Sequence, residues 1–246
     1  MYPDNLLLRA QWGGRADTPD AQTGMVWELM SRLARHGGIL AEPWNSLDVL
    51  PLRALSPVRD LAELTAAMTL ARRDHRTDSL SFMQAMNGQA YLTMSVSIGN
   101  PTGSGRKAAN TVLVDIEAPW NIPRPEPVPV AWLLGLAETL VTDIVDVFCP
   151  DAASLDSSEL TRVRSRGFHA WPAIGYASWL SDAVVDPGRL PRTPVRRRHG
   201  SGTLIGIAAD SPDPLGEATQ LAMDIYDADI LRIVPLVQNR ADPRSG

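Results

Sequence analysis

The chain has 246 residues, 44% of them hydrophobic, with a net charge of -5, and its mean hydropathy is -0.10; this excludes global disorder and describes a globule with a sizeable core. The mild acidic surplus argues against a dedicated nucleic-acid binder, whose phosphate contacts push a domain basic. Cys149 is the single cysteine, so an intramolecular disulfide and a multi-thiolate metal site are both ruled out.

Residues 5–12 read as a first strand, with Leu6, Leu7 and Leu8 leading into Trp12 and Gly13-Gly14 ending it. The leucine run is cut off by Arg9 and is too short for a signal-peptide core. No apolar run reaches membrane-spanning length, so the expected location is the cytoplasm, with no membrane partner. Asp17, Thr18, Pro19 and Asp20 supply a helix start. Met25, Val26, Leu29, Met30 and Leu33 follow at helical spacing, and Gly37-Gly38 stop the helix. Residues 43–57 show no clean period and read as an irregular connection on the core. Ser56-Pro57 then opens a second helix through Leu61, Leu64 and Met68.

The strongest pattern comes next. Leu92, Met94, Val96 and Ile98 alternate with polar residues, and Val112, Val114 and Ile116 do the same after the Gly/Ser-rich loop 99–109. Strict alternation predicts an antiparallel hairpin with one covered face and one wet face. Asp115 and Glu117 share the wet face, where solvated carboxylates are commoner than a general acid/base pair. The proline-dense stretch 120–129 reads as a rigid connection inside a single domain spanning 1–246. Residues 130–148 form the clearest helix, with a stripe from Leu133 to Phe148, and 241–246 is a tail.

In the last third, Gly175-Tyr176-Ala177-Ser178-Trp179-Leu180 reads as a one- or two-turn helix. An arginine-rich connection follows, and Gly200-Ser201-Gly202 opens a buried strand through Leu204, Ile205 and Ile207. A helix carrying Leu215, Leu221 and Ile225 and a strand over 230–236 complete the chain. The element order predicts an α+β fold, with a mixed, largely antiparallel sheet of about five strands and helices packed on one face. Charge falls in blocks. Cations are absent between Arg124 and Arg162 and again between Arg198 and Arg232, while eight arginines lie between these stretches, from Arg162 to Arg198.

The segments Gly175 to Leu180, Leu190-Pro191, Val195 and Gly200 to Leu204 resemble the C-terminal half of the immunity protein 52 family of bacterial polymorphic toxin systems. Trp12-Gly13-Gly14-Arg15 is similar to that family's opening, and a more distant group of type VI secretion immunity proteins shares the glycine-aromatic segment. The resemblance implies an antidote that binds a cognate effector toxin and blocks its active site, with nucleases of restriction-endonuclease fold as frequent partners. On that reading the acidic residues Asp143, Asp146, Asp151, Asp156 and Glu159 would enter a basic cleft. Tyr176 and Trp179 would serve as aromatic anchors.

Catalytic signatures are missing: there is no Gly-x-Ser-x-Gly, no His-Glu-x-x-His and no Cys-x-x-Cys, and the glycines do not follow a strand as a nucleotide fingerprint requires. The expectation is therefore a protein-binding molecule, with no catalytic residue, cofactor, metal or nucleic-acid partner, existing as a monomer or weak homodimer. The alternatives are an enzyme with a dispersed site around His169 or His199, and a structural or assembly subunit.

Overall fold

A computed structural model of the chain describes residues 5–41, 43–47, 55–74, 81–87, 92–100, 110–116, 130–166 and 172–232. The first strand is β1 (Leu6–Trp12), and α1 (Pro19–Arg35) follows it. Thr18 caps α1 by accepting the Ala21 N–H on Oγ1 at 3.3 Å, and Pro19 takes the first-turn position where no N–H is needed. Met25, Val26, Leu29, Met30 and Leu33 form its buried stripe.

Strands β2 (Trp44–Leu47) and β3 (Leu55–Val58) form a pair where an irregular connection was expected. Ser56 and Pro57 thus belong to a strand, and α2 (Leu61–Asp74) begins later. Its cap is Asp60, whose Oδ1 accepts the Glu63 N–H at 2.8 Å, while Glu63 reaches back to the Arg59 N–H at 2.6 Å. After β4 (Ser81–Asn87), the alternating runs become β5 (Thr93–Ile98) and β6 (Asn110–Ile116). These two pair antiparallel with the expected in-out burial.

The long expected helix arrives in two pieces, α3 (Val130–Gly135) and α4 (Ala137–Phe148), with a break at Leu136. Cys149 ends α4 in the left-handed conformation, its N–H bonded to the Val145 carbonyl. Strand β7 (Ala152–Asp156) and α5 (Ser158–Arg166) follow, and then β8 (Ala177–Ser181). The spacing of Tyr176, Trp179 and Leu180 suggested a helix, but β8 is hydrogen-bonded to a strand on each side and all five of its residues are buried. With both faces buried, β8 shows no in-out alternation of apolar and polar residues, and its adjacent Trp179 and Leu180 fit a buried helix as well as a strand. The arginine-rich connection contains β9 (Val195–His199), which turns through Gly200, at φ +55°, into β10 (Gly202–Gly206). Finally α6 (Pro214–Asp227) packs on the sheet, and Leu231 makes a single bridge to Val185.

The described strands form one sheet in the order β3-β2-β4-β5-β6-β1-β7-β8-β10-β9, and each recorded strand pairing is antiparallel. The chain is therefore α+β, as expected, with a sheet twice the anticipated width. Its main core lies between one sheet face and α1 to α4, and includes Leu8, Leu29, Met94, Val114, Ile144 and Trp179. A second core lies on the opposite face, where Leu221, Ile225 and Tyr226 of α6 meet Leu180 and Ile205. Helices thus cover both faces at the β8–β10 end, because β8 and β10 have apolar residues pointing each way. Among the described residues, no helix is long and apolar enough to cross a membrane.

Candidate partner-binding surface

Asp143 and Asp146, the first two acidic candidates, lie on the outer flank of α4, where they are bound up with neighbours. Asp143 accepts from Arg32 at 3.3 Å and bonds His36 Nε2 at 2.7 Å; Asp146 accepts from the same Arg32 at 3.2 Å and bonds His199 Nε2 at 2.7 Å. Arg32 also meets Glu28 at 2.8 Å, and that hydrogen bond holds the Glu28 carboxyl below its ordinary value. In the first turn of the same helix, Glu138 meets Arg197 of β9 at 3.3 Å. This ridge is a clasp joining α1, α4 and β9, and its carboxylates are largely neutralised within the chain. His199 takes part in the clasp. His169, Trp171 and Glu117 lie outside the described residues, as do 120–129 and 233–246.

The other acidic candidates point inward. Asp151 is 3% exposed and accepts the Gly13 N–H at 2.9 Å. Asp156 is 1% exposed and bridges Arg9 of β1 at 2.9 Å, beside Thr161 and Ser154. Glu159, in the first turn of α5, is half-buried with one carboxylate oxygen enclosed. Tyr176 and Trp179 are buried to within 2%. Burial pushes the Tyr176 phenol up to about 12, against a smaller opposing effect of its bond to Ser157 Oγ. Asp151, Asp156, Tyr176 and Trp179 are thus interior residues that a docking partner does not reach. Their sequence signal, an acidic block and a pair of aromatics, is the same for a surface and for a polar-anchored core.

The two segments that carried the family resemblance share this internal character. Trp12 stacks on Phe148 with ring centroids 5.5 Å apart, and Arg15 lies 5.1 Å over the Trp12 ring. The Arg15 guanidinium binds Asp17 at 2.9 Å and donates to the Phe148 carbonyl, at the end of α4, at 2.7 Å. Gly13 meets Asp151 through its N–H and Asn110 through its carbonyl. In the second segment a Cβ at Gly175 would fall 2.1 Å from the Leu155 carbonyl oxygen. One at Gly202 would fall 2.4 Å from the Trp179 indole, whose Nε1 donates to the His199 carbonyl at 2.9 Å. These residues tie the strand ends to α4 and β9, so they report the fold and not the contact surface.

The unneutralised acidic surface lies on α6. Its inward side holds Ala218, Leu221, Ala222, Ile225 and Tyr226, and the Tyr226 hydroxyl donates to the Pro172 carbonyl at 3.0 Å. Its outward stripe is Glu217, Gln220, Met223, Asp224 and Asp227, at helical spacings, flanked by exposed Asp210 and Asp229. No cation occurs between Arg198 and Arg232. Among the described residues, Asp210, Glu217, Asp224, Asp227 and Asp229 make no ion pair, although Asp224 accepts from Gln220 at 2.6 Å. Met223, 42% exposed, stands in the middle of the carboxylates. The charge block was visible in the sequence; only the orientation of α6 and the pairing of the competing block separate the two.

No protein-family model matches the chain, and no curated protein matches it. Among solved structures it is similar to a Pseudomonas aeruginosa T6SS protein, at 13% identity over 90% of this chain and 72% of that one, with a TM-score of 0.42.

Proposed function

We propose that the protein is an immunity-type antidote: it binds a cognate effector toxin and covers its active site. The observation that carries this reading is the outer face of α6, where carboxylates stand exposed without an ion-pair partner among the described residues, while the equally acidic flank of α4 is neutralised from within. Unpaired like charges on one face repel each other at a cost to the free protein, and a basic partner relieves it. An effector that acts on phosphodiesters presents such a basic cleft, which makes a nuclease the partner chemistry of choice. The resemblance of residues 12–15, 175–180 and 200–204 to the immunity protein 52 family points the same way, although no family model matches the chain. Those residues build the scaffold, and the specificity would reside on α6.

Co-expression tests it. Cells producing the effector encoded beside this chain should survive only when the chain is present, and Asp224→Lys with Asp227→Lys should abolish both protection and the one-to-one complex. Equal killing with and without the chain would end the antidote reading.

A further inference from the structure

The break between α3 and α4 leaves a shallow groove, with about 30 Å³ of free volume, bordered by Gly135, Ala137, Glu138, Ala208, Ala209 and Pro214. Three features of this groove differ in kind and agree. Its side chains are mostly small and apolar, and the neighbouring backbone is held by the Ile207 N–H bonding to the Tyr176 carbonyl at 3.0 Å. The first turn of α4 forms one wall and carries no side-chain cap, since Leu136 occupies the N-cap position. The rim is acidic. Asp210 is exposed between two lining residues, and Glu217 lies one turn along α6 from Pro214.

We infer that this groove receives an extended basic segment of the partner, with a small branched apolar side chain on the groove floor and arginine or lysine on either side. The inference rests on the proposed binding role and names the part of the partner that the foot of α6 recognises. Charge complementarity selects the flanking residues and the small volume selects the central one.

Fluorescence anisotropy with labelled pentapeptides tests this. Arg-Arg-Val-Arg-Arg should bind at least tenfold more tightly than Arg-Arg-Gly-Arg-Arg and than Glu-Glu-Val-Glu-Glu. Ala209→Trp, which fills the groove, should erase the preference for valine while the melting temperature stays unchanged. Asp210→Lys should weaken both basic peptides together. Equal binding of the valine and glycine peptides, an unaffected Ala209→Trp variant or no peptide binding overturns the inference. Co-expression separates it from the broader reading: if Ala209→Trp still protects cells and the α6 reversals do not, the groove assignment falls and the antidote stands.

Discussion

Arg15→Ala removes the centre of the N-terminal motif, and the structure sets the size of the effect. The Arg15 and Asp17 side chains are 6% and 4% exposed and lie 2.9 Å apart, so the substitution takes the Arg15 charge away from a buried carboxylate. It also removes the donor to the Phe148 carbonyl and the cation above the Trp12 ring. Breaking a buried pair from one side costs about 3–5 kcal/mol. For a chain of this size that corresponds to a fall in melting temperature of roughly 6–20 °C. Arg15→Ala with Asp17→Ala should cost less than the sum of the single variants, by about 1–3 kcal/mol, since the two side chains are in direct contact. Urea denaturation followed by circular dichroism measures the cycle, and binding to the effector is measured on the folded fraction. A single-variant loss below about 1 kcal/mol, or full stability with lost binding, would refute the reasoning, because the motif would then belong to the surface and not to the scaffold.

Gly202→Ala forces a methyl to within 2.5 Å of both the Trp179 ring and the Leu180 carbonyl, and should destabilise by about 1–3 kcal/mol with a shift in tryptophan emission; an unchanged melt would show that β10 moves aside freely. Tyr176 titrates in the folded chain near 12, above its value of about 10 when unfolded, so its contribution is complete below about pH 10 and is lost as pH rises through 12. Melts between pH 9 and 12 should therefore fall more steeply for the native chain than for Tyr176→Phe, and parallel curves would contradict the burial argument. Asp143→Asn with Asp146→Asn unclasps α1, α4 and β9, and because those partners are partly solvated the loss should stay near 1–2 kcal/mol with protection retained. Asp224→Lys with Asp227→Lys should do the reverse, leaving stability within about 0.5 kcal/mol while protection disappears, as a chemical melt and a co-expression assay on the same variants will show.

The amino-acid sequence by itself determined the elements whose pattern is local. The in-out alternation of β5 and β6, the capped and glycine-stopped α1 and the apolar stripe of α4 each require one covered face, and the period of the side chains names the element. Strands without that alternation escaped this logic. In β8 both faces are buried and the alternation vanishes, so it reads as a helix; β10, equally covered, was legible from its apolar run after a glycine turn; and in β9 the edge position allows a run of arginines that reads as a loop. The candidate surface divided in the same way. The acidic blocks were legible as composition, but Arg32, His36 and His199 come to Asp143 and Asp146 from 53 to 114 residues away, and only chain folding brings them there. Neutralisation depends on distance in space, and the sequence order of charges says nothing of it; that is why only the tertiary structure distinguishes the internally paired carboxylates of α4 from the exposed ones of α6.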